Sequence, residues 1–489
     1  MKMINWICLG LMVVSVSAKQ NVILFVTDDQ SPDAGCYGNA VIQTPAIDAL
    51  AKDGTIFPNA FCTTASCSAS RSVILSGLYN HANGQYGHHH SFHHFRSWED
   101  LKTLPVIMTA NGYRTARCGK FHVGPEAVYQ FEQSIPGNSR HAWQMAENCR
   151  ELIEADSDEP FFLYICTSDP HRGGGFAAEL PYKPDRFGNL PNQASRSHHQ
   201  DVIYDPARVM VPPFLPDTPT CRAEIAQYYQ SITRIDQGLA HLMGILKAAG
   251  KYDETLVIYT ADHGMAFPGG KTTLYEGGMQ IPFIVKKPNP SRKGMVSQAK
   301  VSLVDLTPTI LDFAGAIGPE TVTGIAYDEK FKRNRKVRAR SDKAFHGRSF
   351  LSVIEEEDPG GAWDTVYASH TFHEIQMYYP MRVVHGPKYK LIWNIAWQLP
   401  YPFASDLWAA PTWQAQFKQG PNAPYGLKTV GEYIHRKKFE LFDLEKDPDE
   451  TTNLVENPEY AEVLEKMQKQ LRAFQLRTDD GWELKWRYE

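Results

Sequence analysis

Four strand-like runs in this chain each end in polar residues able to do chemistry, and helical stretches separate them. Asn21 to Val26 leads into Thr27-Asp28-Asp29, and Arg114 to Gly119 leads into Lys120-Phe121-His122. Pro160 to Cys166 ends in Asp169-Pro170-His171, and Thr255 to Thr260 ends in Asp262-His263-Gly264. Short, largely apolar runs of this kind read as strands buried on both faces, as in a sheet covered by helices. The intervening stretches carry helix signals: Thr44-Pro45 closed by Gly54, Leu104-Pro105 ended by Gly112, Ala142 to Ile153, and Ala223 to Leu246. Such alternation predicts an α/β fold. Open α/β sheets bind ligands at the carboxyl ends of their strands. Adjacent carboxylates such as Asp28 and Asp29 are too costly to bury without a cation. One cleft shared by the four strand ends is therefore expected.

A second feature is Cys67-Ser68-Ala69-Ser70-Arg71, followed by Val73-Ile74-Leu75 and Gly77. Small polar residues ahead of an apolar run place Cys67 near a helix N-terminus, where free N–H groups and the dipole favour an anion. Arg71 lies one turn along the same face. Taken alone, the pattern suits a low-pKa thiol. It equally suits a small buried residue beside a surface arginine.

The rest of the chain sets bounds. A length of 489 residues allows one large or two ordinary domains. A net charge of −5 argues against a general nucleic-acid binder. Met1 to Ala18 reads as a signal peptide with a cleavage site at Val16-Ser17-Ala18, its apolar run too short to span a membrane. The mature chain is thus expected to be exported. It lacks an Asn-x-Ser/Thr acceptor, since Asn289 is followed by Pro290, which favours a bacterial periplasmic or secreted protein over a lysosomal one. Apart from Cys8 and Cys67, six cysteines remain at irregular spacing, enough for one or two bridges that cannot be paired from sequence. His88-His89-His90 and His93-His94 could bind a transition metal or simply line a polar loop. Lys330 to Arg340 holds seven basic residues, suited to a solvated loop or to a sulfated chain. From about Tyr379 the pattern turns to antiparallel strands, Met381 to Val384 and Tyr389 to Asn394 around Gly386-Pro387, then Glu440 to Leu444. A last helix presents Val463, Met467, Leu471 and Phe474 on one face. The expected division is a signal peptide over 1–18, a catalytic domain over 19–378 and a small domain over 379–489.

The Cys67 pentapeptide resembles the sulfatase signature, Cys-x-Pro/Ala-Ser-Arg with a glycine beyond, with Ala69 where most members carry Pro. Gly119 to Glu126, Asp169 to Arg172, His373-Glu374 and Tyr379 to Arg382 also resemble this family, and within it the sulfamidases acting on heparan sulfate. The resemblance implies an alkaline-phosphatase-like α/β domain with a central mixed sheet flanked by helices, followed by a small domain with an antiparallel sheet and a helix. It implies that Cys67 is converted to formylglycine by a formylglycine-generating enzyme. It also implies one Ca²⁺ held by Asp28, Asp29, Asp262 and His263 with the modified Cys67. The three aspartates suit a hard cation. His263 is a softer ligand standing where sulfamidases usually have Asn, and Lys271 stands where they usually have Arg, keeping the charge but losing the planar fork.

By the same resemblance Arg71 holds the formylglycine, and Lys120 and Lys271 neutralise charge on the sulfuryl group. His171 protonates the leaving group and His122 takes a proton from the nucleophile. Asp169, His373, Glu374 and Arg382 are the expected substrate contacts. The implied reaction is hydrolysis of the N-sulfate of non-reducing-end glucosamine in heparan-type chains. The rivals are an O-sulfatase acting on another sulfated sugar and a glycan-binding protein without activity. A sulfated glycan is the expected partner, with no nucleic acid and no membrane span, and a homodimer is left open.

Overall fold

The computed structural model describes residues 20–176, 182–189, 198–317 and 345–488. The expected signal peptide and the basic run Lys330 to Arg340 lie outside these residues. Six strands build the sheet that positions the site: β1 (Asn21–Thr27), β2 (Arg114–Gly119), β3 (Gln133–Ile135), β4 (Phe161–Cys166), β5 (Thr255–Ala261) and β6 (Phe283–Lys286). Their spatial order is β6-β5-β1-β4-β2-β3, extended beyond β6 by the short strands Thr55–Ile56 and Met295–Val296. β5, β1, β4, β2 and β3 run parallel, while β6 is antiparallel to β5, which makes the sheet mixed.

Val22 to Val26 and Phe161 to Cys166 are almost wholly excluded from solvent because helices cover both faces of the sheet. Each such side chain contributes roughly 1.5–3 kcal/mol of transfer free energy. The register sets Val26 beside Cys166 and Thr27 beside Ala261, so the polar residues beyond these strands emerge at one edge. β2 continues the same edge, with Gly119 opposite Cys166. Gly119 has φ +87°, and a Cβ there would stand 2.1 Å from the Cys166 carbonyl oxygen, so only glycine lets Lys120 leave the sheet at this point.

The first long helix, α1 (Cys67–Ser76), is entirely buried, and Gly77 ends it in the left-handed region. The longest, α2 (Pro219–Ala248), begins with Thr218 accepting a hydrogen bond from the Cys221 N–H and packs on the sheet. The expected helix over Ala142 to Ile153 is broken at Cys149 into Ala142–Asn148 and Arg150–Glu154.

A second sheet comprises β7 (Val366–His370), β8 (Met381–His385), β9 (Tyr389–Asn394) and β10 (Phe439–Asp443), all antiparallel in that order. Its period-2 alternation splits the apolar side chains between two partners. Val383, Ile392 and Phe442 join the core that reaches the large sheet, whereas Val384, Leu391 and Leu441 pack with Met467, Leu471 and Phe474 of helix α3 (Ala461–Arg477). The sheet takes its first strand from Val366–His370, upstream of the division expected at Tyr379. Among the described residues seven cysteines are free thiols, and no helix is long and apolar enough to cross a membrane.

Candidate active site

The four strand ends meet. Asp262 donates its backbone N–H to the Thr27 oxygen, Asp28 to the Asp169 oxygen, and Lys120 to the Cys166 oxygen, which stitches the loops after β1, β2, β4 and β5 together. Asp29 and His122 adopt positive φ, 57° and 60°, conformations that non-glycine residues keep only where surrounding structure holds them. Asp28, Asp29, Asp262, His263 and Cys67 are all buried. The Cys67 Sγ lies 3.3 Å from His263 Nε2 and 3.7 Å from Asp29 Oδ1, and His263 Nε2 lies 3.1 Å from Asp29 Oδ1. These donor atoms converge as a cation shell would.

Permanent positive charges surround the carboxylates. The fully buried Arg71 donates from Nε to Asp262 at 3.0 Å and from Nη2 to Asp28 at 3.2 Å, clamping two of the acids. Lys120 Nζ lies 2.5 Å from Asp28 Oδ2. Lys271 Nζ donates to Asp29 Oδ2 at 3.1 Å, to His171 Nε2 at 2.9 Å and to Asp406 Oδ2 at 2.9 Å. Burial by itself would raise the Asp28 pKa, but Lys120 and Arg71 outweigh it and hold the carboxyl well below its usual range. Burial dominates at Asp262 and raises its pKa despite Arg71. A further cation among these acids would relieve that cost, so the donor set fits a hard divalent ion.

Three expectations for individual residues change. The low-pKa thiol expected from the helix N-terminus is not found. Burial pushes Cys67 well above the usual thiol range, beyond what Lys120 recovers. Arg382 does not face the cleft. It is fully buried, its Nε 2.5 Å and Nη2 2.9 Å from the two carboxylate oxygens of Asp480. Arg382→Met is expected to cost about 3–5 kcal/mol of stability, because Asp480 is left charged and alone in the interior. Urea unfolding should show that loss while kcat/KM per folded molecule is unchanged. A fall in kcat/KM at full stability would return Arg382 to the substrate site.

Asp169 is likewise engaged inside the protein, accepting from Arg140 at 2.9 Å and Arg234 at 2.7 Å, so it braces the loop after β4. Glu374 is 9% exposed and accepts from the Ser405 hydroxyl at 2.8 Å. His373 is buried between Ser66 at 2.9 Å and His88 at 2.8 Å. His171 donates from Nδ1 to the Arg172 oxygen at 2.6 Å and turns Nε2 towards Lys271 and Asp406.

Asp406 was not among the expected site residues. It lies on the four-residue helix Ser405–Trp408, remote in sequence from every strand end. Lys271 and His171 outweigh its burial and hold its carboxyl well below the usual range. An isolated Asp in a segment without periodicity carries no sequence signal.

A carboxylate cluster suited to a hard cation, beside lysines and two imidazoles at strand ends, fits hydrolysis of an anionic ester whose charge grows on oxygen. The architecture is that of the alkaline-phosphatase-like hydrolases. Residues 20–316 match the Sulfatase family model, and residues 425–477 match the C-terminal model of N-sulphoglucosamine sulphohydrolase. The chain belongs to the sulfatase family and is a sulfuric ester hydrolase. It is similar to N-sulphoglucosamine sulphohydrolase of Homo sapiens, 37% identical over 95% of this chain and 91% of that protein. It is also similar to an ulvan-active sulfatase of Formosa agariphila, 29% identical over 94% of this chain and 80% of that protein. A solved structure described as a complex with D-glucosamine-2-N,6-O-disulfate superposes with a TM-score of 0.63 at 20% identity, covering 95% and 99% of the two chains. At that identity it shows the fold alone.

Proposed function

We propose that this chain is an exported sulfamidase that removes the N-sulfate from non-reducing-end N-sulfoglucosamine of heparan-type glycans. The observation that carries the reading is the 37% identity to the human N-sulphoglucosamine sulphohydrolase over nearly the whole chain. The intact constellation of Asp28, Asp29, Cys67, Arg71, Lys120, His122, His171, Asp262, His263 and Lys271 supports it.

One Ca²⁺ held by Asp28, Asp29, Asp262 and His263 would supply charge neutralisation at the sulfuryl oxygens. Formylglycine at position 67 would supply the nucleophilic hydroxyl, a role the high-pKa thiol of unmodified Cys67 does not suit. Arg71 holds Asp28 and Asp262 in place from beneath the site. Lys120 and Lys271 stay protonated, because Asp28 and Asp29 respectively outweigh the cost of their burial, so both place full charges where sulfate charge develops. His171 is anchored through Nδ1, and once protonated at Nε2 in place of the Lys271 contact it would deliver that proton to the departing nitrogen. Burial, Lys120 and His90 hold the His122 pKa well below the ordinary histidine range, so its imidazole is neutral and its lone pair is free.

Glu374 and His373 are the proposed sugar contacts, with Ser405 orienting the Glu374 carboxylate. Losing a buried hydrogen bond to substrate costs on the order of 1–3 kcal/mol. Glu374→Gln should therefore lower kcat/KM for N-sulfoglucosamine roughly 10- to 100-fold while thermal unfolding and metal content stay as in wild type. The decisive assay is sulfate release from N-sulfoglucosamine and 6-O-sulfated N-acetylglucosamine side by side. Preference for the O-sulfated sugar would leave a sulfatase but end the sulfamidase reading, with an O-sulfatase acting on another sulfated sugar as the alternative.

A further inference from the structure

Five imidazoles form a contiguous cluster beside the catalytic groups, and the proposed chemistry uses only part of it. The ring centroids of His88, His90 and His122 stand 4.9, 4.8 and 4.7 Å apart pairwise. His93 lies 5.3 Å from His90, and His373 lies 3.9 Å from His88. The backbone delivers them from separate places. His90 and His93 face each other across a two-strand hairpin, His88 precedes it, and His122 follows β2.

One ring nitrogen from each of His88, His90 and His122 lies within 4.8 Å of the other two. A tetrahedral zinc ion with Zn–N bonds of about 2.0–2.1 Å needs donor nitrogens about 3.3 Å apart. Modest ring rotations reach that spacing. His90 Nδ1 already stands 2.5 Å from His122 Nε2. His122 Nδ1 is buried and has no hydrogen-bond partner. His88 Nδ1 is seated on the Ser68 hydroxyl at 3.3 Å, the kind of outer contact that orients a ligating imidazole. His88, His90 and His122 are all held below the ordinary histidine range, by burial first and then by neighbouring imidazoles and lysines, so they are in the neutral form a metal requires.

The donor chemistry differs from that of the aspartate cluster. Imidazoles select zinc, copper or nickel, whereas carboxylates select calcium or magnesium. The two sets share no residue.

We propose that His88, His90 and His122 form a second metal site, for Zn²⁺ or a similar transition-metal ion, and that its occupation arrests turnover. Binding takes the free lone pair of each neutral imidazole, that of His122 included. The inhibitory half rests on His122 being the base of the proposed reaction, whereas the binding half does not.

The test uses the full-length protein in saturating Ca²⁺. Zn²⁺ titrated by calorimetry should bind wild type with one more equivalent than it binds His90→Asn, or with at least about 10-fold tighter affinity. His90 is exposed on the hairpin, so the variant should keep its fold. Because His90 touches the proposed base His122, inhibition is read within each protein as the rate with Zn²⁺ over the rate without it. Co²⁺ at this site should give a d–d spectrum without thiolate charge transfer. Zn²⁺ should inhibit wild type and leave His90→Asn at least about 10-fold less sensitive. Equal Zn²⁺ binding by the two proteins, or a Co²⁺ spectrum dominated by thiolate, overturns the site. Zn²⁺ bound through His90 with turnover intact overturns the inhibitory half together with the role of His122. If no sulfated sugar is turned over, calorimetry still decides the site.

Discussion

Cys67→Ala is expected to abolish sulfate release while leaving the protein folded and able to bind its sugar. Cys67 opens a helix whose ten residues are all buried, and its side chain meets His263 and Asp29 rather than the packed apolar core. Alanine keeps the helix and loses only the group proposed to become the nucleophile. In active wild-type protein, peptide mass spectrometry should find the residue about 18 Da lighter than cysteine, the change from thiol to aldehyde at this reactive position. The proposed modification also suits the surroundings of the residue. A thiol whose pKa is pushed well above its usual range is a poor thiolate nucleophile, and the carboxylates around it would oppose a second negative charge. Undiminished turnover by Cys67→Ala would end the proposed mechanism.

The second large effect is loss of stability in acid. His81 and His370 are buried, His346 is half-buried, and all three are hydrogen-bonded at the seam between the second sheet and the segment around α1. His81 meets Ser369 and Thr478 at 2.8 and 2.9 Å, His346 accepts from the Tyr79 N–H, and His370 meets the Thr64 hydroxyl. Burial first, and nearby positive groups after it, depress their pKa values to about 4, about 3 and about 3. The unfolded chain therefore takes up protons at these positions near pH 6.5 that the folded chain refuses. Their stabilising effect is complete above that pH and falls as pH drops from 6.5 towards the folded values. The slope is roughly 1.4 kcal/mol per pH unit for each histidine. Denaturant unfolding at pH 7.5 and 5.5 should thus differ by about 4 kcal/mol from these three groups. His346→Asn should reduce the difference by about a third, since one of three equal contributions is removed. A stability that is level across this window would show that the seam tolerates imidazolium.

Both effects involve residues whose placement depends on distant parts of the chain, and legibility in the sequence divided along that line. The strand ends were readable because β1, β4 and β5 are short apolar runs and the polar residues follow them directly. Register in a parallel sheet then brings Asp28, Lys120, Asp169 and Asp262 to one edge whatever the loops do. The Cys67 helix was readable for the same local reason. So was the apolar face of α3, where Met467, Leu471 and Phe474 repeat at helical spacing.

Other features depended on which groups met across the fold. Asp169 and Arg382 look like free polar groups in a one-dimensional reading. In three dimensions each is bound within the protein, because a charge this deeply buried persists only with an opposite charge beside it. Asp406 joins Lys271 from 135 positions away, and His88 joins His373 from 285 positions away. No local pattern marks such partners. The sign of the Cys67 pKa shift was also beyond a local reading. A helix N-terminus lowers a thiol pKa by a local dipole, whereas the surrounding fold raises it by removing water from all sides. At full burial the second effect is the larger.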